Sequence, residues 1–312
     1  MSSLAKSEIL FLYESTYSIP NGDPFTGEQR YDEETKKVLV SDVRIKRFIR
    51  DYFINKGEEI YIVNSSTKKQ ETSTKKKQSG SDARMKELKE LGKDKELSGK
   101  ELLCKECIDV RLFGGISTEK GDAFNLTGPV QFALLNPSLN SVDLRIHQNT
   151  SVFVSDTEKS QGAIGTTTLV PYSLNQIHGW INPFAAQETK LTNNDVGRMF
   201  SALWHSINNA NTRSKSNQNS LLLLQIVYKR PVDKLYHVDR MIQLKPNEGK
   251  RQEQIRSLED YQLNFDKLLQ AAQSDKVEKI NYICAIDALE KQYTPQQRTV
   301  HIRRAIGILD KQ

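Results

Sequence analysis

The chain has 312 residues, 37% hydrophobic and 27% charged, which is enough apolar side chain for a globular core, either one domain with insertions or two domains. Its 45 Lys and Arg against 39 Asp and Glu leave a net charge of +6, too small to mark a nucleic-acid binder by itself, so the distribution of charge decides. The apolar run 9–13 is too short for a signal-peptide core, and 221–228, interrupted by Gln225, falls far below a membrane span of roughly 20 residues; the chain reads as cytoplasmic, with no membrane partner.

Residues 7–15, Ser-Glu-Ile-Leu-Phe-Leu-Tyr-Glu-Ser, are predicted to form a strand buried on both faces. A turn-rich loop, Ile19-Pro20-Asn21-Gly22-Asp23-Pro24, follows it. Ser41 is a suitable N-cap for a helix over 41–53, with Asp42 at the positive end of its dipole. Ile45, Phe48, Ile49 and Tyr52 recur at i, i+3, i+4 and i+7 and face a core; Lys46, Arg47 and Arg50 fill the opposite side, with Arg44 and Asp51 on its flank. Gly57 ends the helix, and 58–63 reads as a second strand that completes a strand–helix–strand unit.

Residues 65–81 are polar, include Lys68, Lys69, Lys75, Lys76 and Lys77, and read as a solvated tract. Helical character returns over 83–107, broken near Gly92 and Gly99, so that 65–127 is predicted to be an insertion. A strand is predicted over 130–134, and 151–155 and 166–172 are predicted to pair as a long hairpin. Beyond it, 195–209 is predicted helical, 221–229 a buried strand, 251–273 a helix, 280–286 a strand and 295–309 a terminal helix carrying Arg298, Arg303 and Arg304. The alternation suits an α+β fold with a ferredoxin-like, RNA-recognition-type sheet and long insertions.

The basic arc of the 41–53 helix is either a solvated face or a phosphate cradle, since a row of cations beside free helix N–H groups suits the spaced charges of an RNA backbone. Asp109-Val110-Arg111-Leu112-Phe113-Gly114-Gly115 either lets its backbone approach a ligand closely or forms a helix C-cap turn. Asn211-Thr212-Arg213-Ser214-Lys215 is a polar loop with cations beside hydroxyls, solvated or functional. Cys104-Lys105-Glu106-Cys107 has metal-edge or redox spacing, but no second such pair follows, the five histidines are scattered, and structural cysteines are the better reading; no metal or other cofactor is expected. Nucleophile-elbow, zinc-protease and phosphate-loop signatures are absent, which argues against an enzyme. Asp23 with Asp32, Glu33 and Glu34 could hold a divalent cation for phosphodiester cleavage, against the commoner reading of a hydrophilic loop.

Taken in order, Asn21-Gly22-Asp23-Pro24, the run 39–52, the run 109–114, Gly128-Pro129-Val130-Gln131-Phe132, Pro171-Tyr172-Ser173-Leu174 and the run 211–215 resemble the CRISPR-associated Cas7 family, the backbone subunit of Cascade, and most of all its type I-B branch. The resemblance implies a hand-like architecture: a ferredoxin-like palm over 1–64, 128–145 and 191–312, a helical fingers insertion over 65–127, and a β-hairpin thumb over 146–190. It implies that neighbouring copies line up along a guide RNA (crRNA), each thumb reaching the next copy, and present the guide to a target DNA strand. The large subunit, a Cas-five capping subunit, a small subunit and a guide-processing nuclease are the further Cascade partners implied. It places Ser41, Lys46, Arg47 and Arg50 on the guide backbone, and adds Arg44, Arg111, Gln131, Arg213 and Lys215 as RNA contacts. The alternatives are a metal-dependent ribonuclease, as in type III relatives that cut with a loop aspartate, for which Asp23 is the nearest candidate, and a stand-alone RNA-binding protein. The Lys68–Lys77 tract matches no motif of the family.

Overall fold

The computed structural model describes residues 4–63, 81–91, 97–118, 122–150, 164–285 and 302–304. At its centre is β1 (Ser7–Ser18), in which Ile9, Leu10, Phe11, Leu12 and Tyr13 are all fully buried because the strand is paired on both edges and covered on both faces. β2 (Tyr31–Asp32) and β3 (Lys37–Ser41) lead into α1 (Asp42–Asn55). Next come α2 (Ser81–Leu91), α3 (Gly99–Glu106) and α4 (Ile108–Phe113), then a small hairpin of β4 (Gly114–Ser117) and β5 (Phe124–Thr127). β6 (Val130–Phe132), β7 (Leu135–Ser141) and β8 (Arg145–Thr150) precede the long β9 (Ile164–Ile181). After α5 (Pro183–Thr189), α6 (Asn193–Asn208) and β10 (Gln218–Tyr228), the chain continues through β11 (Gln243–Pro246), β12 (Tyr261–Asn264), α7 (Asp266–Ala272), β13 (Val277–Cys284) and β14 (Ile302–Arg304).

Ten strands make one sheet in the order β14–β13–β10–β1–β9–β7–β3–β2, with β6 and β8 also paired to β9; every pairing is antiparallel except β13 with β14. α1 and α6 lie on one face, packing Ile45, Phe48, Ile49, Met199, Phe200 and Leu203 against Ile9, Phe11 and Tyr13. The other face, with Leu10, Leu12, Leu222 and Leu224, is covered by the 238–272 region through Ile242, Ile255, Leu263, Phe265 and Leu268.

The predicted elements at 7–15, 41–53, 130–134, 195–209, 221–229 and 280–286 correspond to β1, α1, β6, α6, β10 and β13. The predicted strand at 166–172 falls within β9, whose first residues pair with β8, Arg145↔Leu169 through Thr150↔Ile164; its expected partner 151–155 lies outside the described residues, as do Lys68 to Lys77.

Three expectations are corrected. Residues 58–63 form no strand, because their polar backbone groups are taken by side chains: Asp109 accepts from Tyr61 N at 2.9 Å and Ile62 N at 3.2 Å, while Arg84 donates to the Ile60 carbonyl at 2.8 Å. Residues 251–273 form no single helix. Tyr261, Leu263 and Phe265 alternate into the core, and Asp260 accepts from Arg256 N at 2.7 Å and Ser257 N at 3.2 Å, which turns the chain into β12 and leaves two 3-10 turns, Gln252–Gln254 and Leu258–Asp260, and the α-helix α7. Of the predicted terminal helix at 295–309, Ile302–Arg304 runs instead as a strand beside β13, and the remaining residues lie outside the described ones.

Asp109 fastens the inserted helices to the sheet. Its carboxylate is fully buried, ion-paired to Arg50 Nε of α1 at 2.9 Å, and hydrogen-bonded to the amides of Tyr61 and Ile62. Removing one partner of such a pair strands the other charge in the interior, so Asp109→Ala is expected to lower stability by about 3–5 kcal/mol in equilibrium urea unfolding. Wild-type stability in that variant would show that the clamp is dispensable.

Candidate nucleic-acid interface

The amino-terminal end of α1 is built by a short relay of hydrogen bonds. Ser41 caps the helix, its Oγ accepting from Arg44 N at 3.3 Å, and both its backbone N and its Oγ donate to Asn21 Oδ1, at 2.7 and 2.8 Å. Asn21 N in turn donates to Gln29 Oε1 at 2.9 Å, so the 21–30 loop and the helix start are one unit. Two residues earlier, Ile19 N donates to Ser214 O at 2.8 Å and Ile19 O accepts from Lys215 Nζ at 2.5 Å. The 211–217 loop is therefore fixed against the same end of the sheet.

This arrangement gathers cations. Arg44 lies over the Phe48 ring at 3.9 Å, and its Nε has no hydrogen-bond partner among the described residues. Burial lowers its pKa, with Arg47 adding to the effect, and Tyr13 and Asp51 opposing it. Burial, and then the neighbouring Arg44 guanidinium, bring the Lys215 ammonium down to about 8. Tyr13, fully buried and within the field of Arg44, has its phenol pKa pushed up by burial, and its hydroxyl also lacks a partner among the described residues. Lys46 Nζ sits between Asp42 Oδ2 at 3.1 Å and Gln131 Oε1 at 3.2 Å, and Gln131 is held by its own bond to the Gly128 carbonyl at 3.0 Å. Arg47 pairs with Asp51 at 2.7 Å, and Arg213 is exposed on the adjoining loop. Lys46 and Arg47 each have a carboxylate, Asp42 and Asp51, whereas Arg44, Arg213 and Lys215 make no salt bridge among the described residues. Such an array suits a chain of phosphates.

Of the expected residues, the structure places Arg44 within the fields of Arg47 and Lys215 on the helix that Ser41 caps, pairs Lys46 with Gln131, and leaves Arg213 exposed on the loop that carries Lys215. It separates two others from them. The helical wheel puts Arg50 on the outer arc, yet it is buried, because α4 covers that side of α1 and supplies Asp109 and the Phe113 ring, 5.2 Å from the guanidinium. Arg111 points into the protein: it forks onto Asp195 at 3.0 and 3.2 Å and donates to the carbonyls of Cys104 and Lys105, each at 3.0 Å, closing the end of α3. The paired glycines after it admit the chain's own backbone. Gly114 has φ +77°, and a Cβ there would meet Leu126 O at 2.0 Å, while a Cβ on Gly128 would meet Phe113 C at 2.0 Å.

The other candidate chemistries are absorbed by the fold. Asp23 Oδ1 accepts from Phe25 N at 2.9 Å and Oδ2 pairs with Arg30 at 3.0 Å; the Phe25 amide foremost holds its carboxyl below the usual range. Asp32 is bound to Thr35 Oγ1 at 2.5 Å and Glu34 N at 3.1 Å in a separate turn. Among the described residues, no group of three or more His, Cys, Asp or Glu is arranged to hold a metal. Cys104 and Cys107 are buried beside Met85, Leu88 and Val110, and burial raises both thiol pKa values, away from the thiolate that metal binding needs. No described helix is long and apolar enough to cross a membrane. In the sequence, Asn21 stands out only as part of a loop motif; its hold on Ser41, twenty residues away, leaves no periodic trace, and Tyr13 reads only as part of a buried strand.

The profile of the CRISPR-associated protein Cas7 family matches residues 5–266. A CRISPR-associated protein Cas7 from Haloferax volcanii is 28% identical over 314 aligned positions, covering 91% of this chain and 88% of that protein. In fold, the chain is similar to a chain of a solved CRISPR RNA-guided surveillance complex in a pre-nicking state, with TM-score 0.52, 14% identity, and coverage of 90% of this chain and 93% of that one. The shared fold is mixed α/β around a large antiparallel sheet.

The crowding at Lys215 is measurable in the free protein. The unfolded chain protonates this lysine below about 10.5 and the folded chain only below about 8, so the unfolded state binds the extra proton between these values. Lys215 therefore adds stability as pH rises from about 8 towards 10.5, and below about 8 the full cost of holding the ammonium is present. An NMR titration of the Lys215 ammonium should show a midpoint near 8, moving upward in Arg44→Gln; a midpoint that Arg44→Gln leaves in place would assign the shift to burial alone and remove the like-charge crowding.

Proposed function

The chain belongs to the CRISPR-associated Cas7 family, and on that premise we propose that it is a backbone subunit of a Cascade surveillance complex, holding the phosphates of a guide RNA and leaving its bases free to pair with target DNA. Its role is in CRISPR antiviral defence, in the cytoplasm. The observation that carries the reading is the concentration of Arg44, Arg47 and Lys215 at one helix end, where Arg44 is opposed by Arg47 and Lys215 by Arg44 in addition to burial. A fold keeps such an arrangement at a cost in stability, and an anionic chain laid across it offsets that cost.

Arg44, Lys46, Arg47 and Lys215 take the phosphates in this reading, with Arg213 at the rim. Ser41 and Gln131 position them, the first as helix cap and the second as partner of Lys46. Arg50 and Arg111 support the cradle from within through Asp109 and Asp195. Cleavage forms no part of the proposal, since the Asp23 carboxylate is engaged by Phe25 N, Thr26 N and Arg30.

The strand order β10–β1–β9–β6, with α1 and α6 on one face, supports a ferredoxin-like palm over 1–64, 128–145 and 191–312. We assign 65–127 to fingers and 146–190 to a thumb, the latter on the hairpin of β8 with β9. The type I-B branch, side-by-side copies along the guide, and contacts with large, capping and small subunits and a guide-processing nuclease complete the proposal.

Replacing Lys46 and Arg47 with Ala should lower the log–log salt slope of RNA binding by about 0.7 for each phosphate deprived of its cation. An unchanged slope in a folded variant would take these residues off the backbone. Mass measured with and without a guide-length RNA should rise by several copies of the chain on the RNA; a single copy per RNA would favour a stand-alone RNA-binding protein.

A further inference from the structure

Two exposed aromatic side chains stand on the excursions that frame the cradle, and the phosphate-holding function uses neither. Tyr17 is 59% exposed between the buried Ser15, Ser18 and Ile19, and its backbone φ of +45° is unusual for a bulky residue. The strain is held by hydrogen bonds on either side: Thr16 N donates to Asn217 O at 3.0 Å and Ile19 N to Ser214 O at 2.8 Å, and Asn217 itself has φ +53°. Tyr17 is therefore pinned beside the segment that carries Arg213 and Lys215. Strained backbone of this kind persists where the surrounding structure over-determines it, and it clusters at ligand sites.

Phe25 is 96% exposed at the tip of the 21–30 loop. That tip is stiffly wired. Asp23 Oδ1 accepts from Phe25 N, Gly27 N donates to Asp23 O at 2.8 Å, Asp23 N donates to Glu28 O at 2.7 Å, and Gly22 bridges to Gln29. At its base, Asn21 is bonded directly to the Ser41 cap. A loop held by this many bonds presents its aromatic at little further cost in conformational entropy.

We propose that Tyr17 and Phe25 are base-stacking contacts, lying against the π-faces of nucleobases of the RNA whose phosphates lie on the Arg44–Lys215 cradle and leaving the pairing edges of those bases free. The inference rests on the RNA-holding function proposed above and extends it from the backbone to the bases. Aromatic rings beside a cationic track are the usual means of binding a single strand without regard to sequence, because every base has a π-face. Hydrogen-bond readout is not required, so guide sequence stays unrestricted.

The test uses the full chain and single-stranded RNAs carrying 2-aminopurine at successive positions. In the wild type, the fluorophore should be quenched at positions that stack on the rings. Tyr17→Ala and Phe25→Ala should each relieve quenching and weaken binding on the order of tenfold, while the log–log salt slope stays unchanged because every phosphate keeps its cation. Tyr17→Phe and Phe25→Trp should restore both signals, which a merely structural role would not require. Wild-type affinity and quenching in the double alanine variant, with the salt slope intact, would overturn this inference alone. A change confined to self-association of the RNA-free protein would also overturn it, by assigning the rings to a protein neighbour. Failure of the wild type to bind any of the RNAs would overturn the RNA reading itself, and this inference with it.

Discussion

The buried carboxylate of Asp109 determines where α1 can lie. Ion-paired and fully enclosed, it must be satisfied on the spot, and three donors from two parts of the chain do this: Arg50 from α1 and the adjacent amides of Tyr61 and Ile62. Because α4 carries Asp109, the helices between residues 81 and 113 are fixed to the same point. Arg111, on the same short helix, repeats the arrangement on α6 through Asp195. The insertion is thus joined to the central sheet by ion pairs and by direct contact between backbones at Gly114 and Gly128, where a side chain on either would collide. With its carboxy-terminal half held this way, α1 has its other end determined too, and the cationic groups at that end inherit the geometry.

Those groups are arranged against their own electrostatics. An ammonium brought down to about 8 by burial and a neighbouring guanidinium is a source of instability in the free protein, offset by the surrounding core. The contrast with Arg50 and Arg111 is informative. Both of these are also arginines near the same helices, and each has a carboxylate of its own at hydrogen-bond distance, whereas Arg44 keeps an Nε unpartnered among the described residues. Within one short region the fold therefore distinguishes cations that complete its interior from cations left with unmet capacity, and only the second kind can serve an external anion.

Much of the fold is legible in the sequence wherever a period is strong. β1, α1, α6 and β10 follow from runs and stripes that admit one reading. The signal fails where side chains replace backbone partners. β7 is the clearest case: its inward positions are Asn136, Ser138 and Asn140, which no hydrophobic pattern would identify as buried. They are buried because they stitch the strand to its neighbours, Asn136 to Val40 O and His178 N, Asn140 to Leu174 N and Tyr172 O, and Ser138 to Val38 N. Segment 58–63 fails in the opposite sense, being apolar enough for a strand while its backbone is committed to Asp109 and Arg84. At the candidate site, the cap at Ser41 and the cluster of Lys46 and Arg47 can be read from one helix, but a wheel drawn for an isolated helix has no knowledge of α4 and so misplaces Arg50. The contribution of Asn21 requires three dimensions.

The link through Asn21 bears on how phosphate holding and base contact would act together. Its Oδ1 accepts from both polar groups of the helix cap, while its backbone N and O fix the two sides of the loop that presents Phe25, through Gln29 and Arg30. The loop cannot shift without disturbing the cap, and the cap sets the start of the helix from which Arg44 projects. A phosphate on the cradle and a base against the ring would therefore be read by one rigid body, with their separation set by protein geometry. Charge attraction and π-stacking are both indifferent to base identity. A site built from these two interactions can impose a conformation on an RNA strand while accepting any sequence, which is the property that the proposed guide-holding role requires.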